Sequence, residues 1–294
     1  AISRAGRSGD KKIITEAKFH TLEELENGFW VAEWKGKQGV LDNAGSWVIA
    51  PDYVSIRQFK DGKAVAAIKI HVGDPRVINI NGGNNYSDYQ DSVALYGVVD
   101  SNGKWIIPAA YRFIEIGDGN TFLYQDEYEK YGYLNEKGEV IIQPLFEYAT
   151  AFHGNIAVIS EGGVMAGAGN SEYLFSNRYR IYSGGTWSII GKDGQVISTT
   201  VYDYIRLFSD GRAAFNKGGK WRKKNYADEY SLTGGKWGYI DENGTEIIPA
   251  QYSYAYSFQN GKAKVLNDKE VVWIDESGKT TTAPVKNSSS IQVY

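Results

Sequence analysis

Apolar positions along this chain fall in short clusters broken every few residues by Gly, Asn or Asp, and no stretch shows the recurrence of about 3.6 residues that marks an amphipathic helix. The best-formed cluster pair runs Lys236-Trp237-Gly238-Tyr239-Ile240-Asp241, then Asn243-Gly244, then Ile247-Ile248-Pro249, and closes at Tyr252. Two apolar-rich runs about an Asn-Gly pair predict a β-hairpin. The same hairpin recurs from Gln38 to Gly45, Tyr96 to Gly103, Tyr131 to Gly138 and Trp187 to Gly194, with a decayed copy from Val272 to Gly278. Beyond the first five turns the second run ends at an aromatic, namely Tyr53, Tyr111, Phe146, Tyr202 or Tyr252. Phe59, Phe152, Phe208 and Phe258 follow at a fixed distance, with Gly117 breaking the pattern in the second copy. A glycine turn (Asp61-Gly62, Asp210-Gly211, Asn260-Gly261) then leads into a strand opened by Ala64, Ala213 or Ala263. The chain is therefore predicted to be all-β, a succession of short strands punctuated by turns.

The two ends complete each other. Ile13 to Phe19, with Leu25 and then Asn27-Gly28, is the second half of a unit without its hairpin, and Val271 to Gly278 is a first half without its second. The expected fold is a six-bladed β-propeller with a composite blade closed by both termini, which would remove the exposed sheet edges. An open β-solenoid of the same units is the alternative. The units fall at about 12–34 (half), 37–94, 95–130, 131–185, 186–235, 236–269 and 270–284 (half), in a single β-repeat domain over 1–294 with 285–294 as a tail.

The shortest intervals between copies set a unit of about 35 residues, enough for three or four short strands. Longer intervals place their extra residues at one point, from Lys69 to Ser92, Ser160 to Gly185 and Asn216 to Gly235. Insertions at an equivalent position of a repeat map to one face, often the binding face, and these read as long hairpin arms.

The phrase Lys236-Trp237-Gly238-Tyr239-Ile240-Asp241 with Asn243-Gly244, Ile247-Ile248-Pro249, Tyr252 and Phe258 resembles the bacterial WG, or KWG, repeat family. The resemblance runs from Ile13 to Gly278, although Gln38, Tyr96 and Tyr131 replace the Trp, and Ser188 and Val272 replace the Gly. It implies a β-repeat scaffold that mediates interactions, commonly in exported or surface-associated proteins. It implies no catalytic residue and no known ligand.

Composition narrows the remaining function classes. A net charge of −3 gives no general attraction for nucleic acid. With no cysteine, disulfides and thiolate chemistry are excluded. No apolar run approaches the roughly 20 residues that cross a bilayer as a helix, so no membrane span is expected. Ala1 in place of Met fits a chain from which an export signal has been removed, so a periplasmic or cell-surface location is expected. His20, His71 and His153 stand in different units, and no Gly-x-Ser-x-Gly elbow occurs. Asp100-Ser101-Asn102-Gly103 and Asp241-Glu242-Asn243-Gly244 fit side-chain-stabilised hairpin turns better than calcium loops, because an apolar strand follows at once. Gly162-Gly163 to Gly167-Ala168-Gly169 lacks the Lys and Ser/Thr of a phosphate loop and reads as an insertion tip. No metal, cofactor or catalytic residue is assigned.

The Trp-Gly pair itself reads as scaffold, an indole to fill the core and a glycine to admit a neighbouring strand. Binding chemistry is concentrated in the insertions. The third carries Lys217, Lys220, Trp221, Arg222, Lys223, Lys224 and Tyr226, the second Tyr173, Phe175, Arg178, Tyr179, Arg180 and Tyr182, and the first Tyr86 and Tyr89. Cations among rings suit acidic or carbohydrate partners. The candidate ligand-binding residues are Trp221, Arg222, Lys223, Tyr226, Arg178, Arg180, Tyr86 and Tyr89, and the expected function is non-enzymatic binding of a protein or glycan. Trp47 and Trp105 form a competing candidate, a platform for sugar rings at the other strand end. The alternative function is a glycan-active hydrolase or lyase with its site in the central funnel.

Overall fold

The computed structural model describes residues 19–25, 28–71, 92–166, 181–198, 200–223 and 230–283. Its strand pairs are antiparallel, and no α-helix occurs among the described residues. Two compact units are present, Ala1–Leu145 and Phe146–Tyr294. The first holds three four-stranded sheets: β1 (Leu22–Glu24), β2 (Trp30–Trp34), β3 (Lys37–Leu41) and β4 (Trp47–Tyr53); β5 (Ser55–Ile56), β6 (Lys63–His71), β7 (Ser92–Asp100) and β8 (Trp105–Tyr111); and β9 (Ile114–Ile116), β10 (Phe122–Gln125), β11 (Tyr131–Leu134) and β12 (Val140–Phe146). The second holds β13 (Tyr148–Ala149), β14 (Ile156–Ala166) and β15 (Ile181–Gly191); β16 (Tyr204–Ile205), β17 (Arg212–Lys223), β18 (Tyr230–Asp241) and β19 (Glu246–Tyr252); and β20 (Tyr254–Ala255), β21 (Lys262–Asn267), β22 (Glu270–Asp275) and β23 (Thr280–Thr281).

Each sheet is made of strands consecutive in the chain. The composite sheet expected from the two ends is therefore not the arrangement among the described residues. The first sheet is whole from β1 and the last is whole to β23. The boundary between successive sheets falls after the aromatic that ends the fourth strand, where a single residue such as Val54 separates β4 from β5.

The turns form as their residues dictate. Asp42, Asp100, Asp241 and Asp275 each accept two main-chain N–H groups of their own hairpin turn on Oδ1, at 2.8 to 3.0 Å. Those oxygens serve the turn, which is the physical reason an Asp stands there. Asp61-Gly62, Asp210-Gly211 and Asn260-Gly261 are left-handed at both residues, as two-residue hairpins require.

The glycine of the Trp-Gly pair is fixed by close approach. A Cβ on Gly39, Gly97 or Gly238 would lie 2.4 Å from the carbonyl oxygen of Ile49, Ile107 or Ile248. At these points the pairing shifts register, so the fourth strand bulges across the glycine. Where the glycine is lost the fourth strand decays. Opposite Ser188 it survives only as the isolated bridges Trp187 to Tyr202 and Ile190 to Val196, and beside Val272 it shrinks to the two residues of β23.

Sheets stack through their apolar faces. Val40, Ile49 and Tyr53 of the first pack with Ile56, Ala64, Ala66 and Val99 of the second. Trp237, Tyr239, Ile248 and Tyr252 of the fifth pack with Ala255, Phe258, Val265 and Ile274 of the sixth. The aromatic ending the fourth strand latches onto the next sheet: the Tyr53 hydroxyl donates to the Gly103 carbonyl at 2.7 Å, and that of Tyr252 to the Gly278 carbonyl at 3.4 Å.

Candidate binding arms

All three insertions continue their strands as hairpin arms, β6–β7 in the first unit and β14–β15 and β17–β18 in the second. The β6–β7 arm keeps one register from Lys63 opposite Asp100 to His71 opposite Ser92. The other two bend. In β14–β15, Glu161 faces Thr186 and Gly163 faces Gly184, so Gly162 and Gly185 are skipped, one on each strand. In β17–β18, Lys217 faces Lys236 and Gly219 faces Gly234, so Gly218 and Gly235 are skipped. All four skipped glycines have φ between 70° and 79°. An L side chain adopts such angles at a cost, which is why glycine occupies both sides of the bend.

An acid at the start of each sheet holds the bend. The Gly162 N–H donates to Glu147 Oε2 at 2.8 Å. The N–H groups of Gly218 and Gly219 donate to Asp203 Oδ2 at 2.6 and 3.1 Å. Beneath the bends lies a row of rings in edge-on or tilted contact, Tyr148, Trp187, Tyr204, Trp237 and Tyr254, with neighbouring centroids 4.8 to 6.1 Å apart. The Arg206 guanidinium covers Trp237 and Tyr254 and donates to the Tyr254 hydroxyl at 2.6 Å. Trp187 and Trp237 thus each bridge the first strands of two successive sheets. Burial in this row pushes the Tyr204 hydroxyl above its usual pKa, against the lowering effect of Arg206.

At the base of the third arm, Lys217 pairs with Glu246 on β19 and stands over the rings of Tyr202 and Phe215. The Tyr202 hydroxyl donates to Glu246 at 3.4 Å, and burial followed by the Glu246 charge raises its pKa.

The sequence-predicted residues are placed unequally. Trp221 is half-buried on the inner face of the arm; its Nε1–H donates to the Asp203 carbonyl at 3.1 Å and its ring meets Tyr204 edge-on at 5.7 Å. Strand alternation then turns Lys220 and Arg222 outward, both exposed, opposite Thr233 and Ser231. Lys223 pairs with Tyr230 in the ladder. Tyr226, Arg178, Arg180, Tyr86 and Tyr89 lie outside the described residues. Lys220 is the residue that a ranking by aromatic content passes over and an alternation count finds. Trp47 packs edge-on against Phe19 and Trp105 against Tyr53, each at 5.5 Å, so the two indoles have separate partners. Among the described residues no three His, Asp or Glu side chains are grouped to hold a metal ion, and no helix is long and apolar enough to cross a membrane. His153 meets Glu242 at 3.1 Å on the surface.

Six small antiparallel sheets, linked in chain order and built on one hairpin motif, define an all-β repeat protein. The profile of the WG containing repeat matches residues 39–70, 96–116, 131–164, 187–221 and 237–270, more than half of the chain, and the protein belongs to that family. Comparison with curated proteins found no match. Among solved structures, the chain is similar to the computationally designed Ika8 protein (13% identity, 91% of this chain and 74% of that one, TM-score 0.41). It is also similar to BamB from Moraxella catarrhalis (11% identity, 89% and 75%, TM-score 0.39). A third is the β-propeller domain of the Trilobed protease from Pyrococcus furiosus (15% identity, 91% and 84%, TM-score 0.39).

Proposed function

We propose that this protein is a non-enzymatic binding module that takes an anionic protein or glycan partner on its hairpin arms, with its six sheets closed into a six-bladed propeller. One observation carries the binding reading. The third arm is bent and clamped at its base, and beyond the bend it turns Lys220 and Arg222 to solvent beside Ser231 and Thr233. Neither cation forms an ion pair with another described residue, whereas Lys217 and Lys236 at the base are held by Glu246 and Asp268. Exposed cations beside hydroxyl donors suit carboxylate, sulfate or phosphate groups. A clamped bend lowers the ordering cost of binding because the arm is aimed before the partner arrives. Closure is supported by the repetition itself, since an open stack of such sheets leaves an apolar face uncovered at each end.

The test is a double charge reversal, Lys220→Glu with Arg222→Glu, on surface residues whose change leaves the fold intact. Binding to acidic polysaccharides and to partners recovered by pull-down is expected to fall at least about tenfold, a loss of about 1.4 kcal/mol or more. Unchanged binding to every partner recovered by the unaltered chain would remove the arm from the interface.

A further inference from the structure

In the row of rings beneath the arms, hydrogen-bond donors gather with no acceptor to receive them. Arg206 follows β16, half-buried, its guanidinium 4.9 Å from the ring centroid of Trp237 and 5.1 Å from that of Tyr254. Its Nε donates to the Ala255 carbonyl at 3.1 Å and its Nη2 to the Tyr254 hydroxyl, which leaves Nη1 without a partner among the described residues. The Tyr254 hydroxyl accepts that bond, so its own proton remains to be given. Tyr204, across Trp237 in the same row, donates its hydroxyl to no described residue either. Arg206 is close enough for its charge to act on that hydroxyl, lowering its pKa against the effect of burial.

Other cations of this compact unit are matched by acids. Arg212 meets Glu276 at 2.9 Å, and Lys217 and Lys236 meet Glu246 and Asp268. Arg206 has no carboxylate within ion-pair reach among the described residues, and neither has Lys264, which stands over the ring of the 48% exposed Tyr256. A half-buried charge calls for a counter-charge, and here only donors and rings surround it. The second sheet carries an arginine at the equivalent place, Arg57, which also lies over a ring, that of Tyr96 at 5.4 Å. Stacking is thus common to both sites, and the surroundings differ. Ser55, Phe113 and Glu115 stand there in place of Tyr204, Tyr254 and Tyr256, so the phenols are gone and the last position is taken by a carboxylate of the chain itself.

We infer that Arg206 anchors a binding site for an acidic sugar, a hexuronate whose carboxylate lies against the guanidinium between the hydroxyls of Tyr204 and Tyr254. A planar carboxylate matches the planar fork of an arginine, and this fork is already held in place by two bonds and two rings, which lowers the ordering cost of binding. Phenol donors flanking the anchor call for oxygen acceptors beside the carboxylate. The hydroxyls and ring oxygen of a sugar supply them, whereas the aliphatic stem of Asp or Glu does not. Tyr256, edge-on to Tyr254 at 5.0 Å, offers an exposed ring against which the apolar face of a sugar can lie. The site uses neither Lys220 nor Arg222 and stands apart from the outer face of the arm.

The test titrates the full chain with trigalacturonate and triglucuronate, with their methyl esters, and with triglutamate, read by calorimetry. At least one of the two acids is expected to bind, and its ester at least about tenfold more weakly, because the ester forfeits the charge-assisted bonds. Arg206→Lys keeps the charge without the fork and is expected to weaken binding at least about tenfold. Tyr204→Phe removes a hydroxyl that no described residue uses and keeps the ring in its row, so the fold is retained, and a loss of at least about threefold is expected. Lys220→Glu with Arg222→Glu is expected to leave uronate binding unchanged, so that failure of the arm reading and failure of this one give different results. Binding of neither acid at millimolar concentration overturns the inference. So does equal binding of acid and ester, unaltered affinity in either Arg206→Lys or Tyr204→Phe, or triglutamate bound as tightly as the uronates.

Discussion

A Cβ on Gly238 would lie 2.4 Å from the Ile248 carbonyl oxygen and 2.8 Å from the Ala250 nitrogen, both main-chain atoms that cannot swing aside as a flexible side chain does. Gly238→Ala is therefore expected to destabilise the protein by about 1–3 kcal/mol, the usual cost of overpacking, read as a lower urea midpoint with little change in slope. Gly162, where nothing lies within 4 Å of an added Cβ, tests the other cause, since its φ of 73° makes alanine costly through backbone conformation alone. The chain contains its own version of the first experiment. Ser188 occupies the equivalent position in the fourth sheet, and there the neighbouring strand has withdrawn to isolated bridges. Equal stability of Gly238→Ala and the unaltered chain would mean that the bulge relaxes freely, and Ser188 would then not explain the weak fourth strand.

The bends in the second and third arms show what was legible in the sequence and what was not. Glu161-Gly162-Gly163 with Gly184-Gly185, and Lys217-Gly218-Gly219 with Gly234-Gly235, are visible as paired glycine doublets. Gly162-Gly163 was nevertheless read as part of an insertion tip, because composition alone does not distinguish a glycine that frees the backbone from one that lets it turn sharply. The hairpins, Asx turns and closing aromatics were legible, since each rests on a local rule. Sheet boundaries were not: one residue between β4 and β5 leaves no loop signal, and the unit was cut at the hairpin instead. The rings beneath the arms escaped notice because Tyr204 and Trp221 are brought together by the bend, with no short spacing to announce them. Asp203 joins these features, accepting from Gly218, Gly219 and the Trp221 indole. Asp203→Ala leaves two main-chain donors unmet, at about 1–3 kcal/mol for each that stays buried. Faster hydrogen exchange at Gly218 and Gly219 is expected, with weaker partner binding and an unchanged exchange pattern in β6–β7. Unchanged exchange at both glycines would show that the ladder alone sets the bend.

Within each compact unit, successive sheets cover one another's apolar faces, so stability is expected to pass between neighbours as in other repeat proteins. The sixth sheet is the clearest case, because Phe258, Val265 and Ile274 bury Trp237, Tyr239, Ile248 and Tyr252 of the fifth, and the Tyr239 hydroxyl donates to the Tyr256 carbonyl at 2.7 Å. Complete burial of one such side chain contributes about 1.5–3 kcal/mol, and a typical domain has only about 5–15 kcal/mol in all. Partial uncovering of four therefore removes a large share of the local stability. A chain truncated before Tyr254 is expected to lose hydrogen-exchange protection most in β18 and β19, whose faces are bared, and less in β13 and β14, one sheet further away. Mass-resolved exchange measures that gradient directly. Equal loss across β13 to β19 would indicate one cooperative block in place of nearest-neighbour coupling, and full retention in β19 would show that the fifth sheet does not depend on the sixth, however closely Phe258 packs against Tyr239.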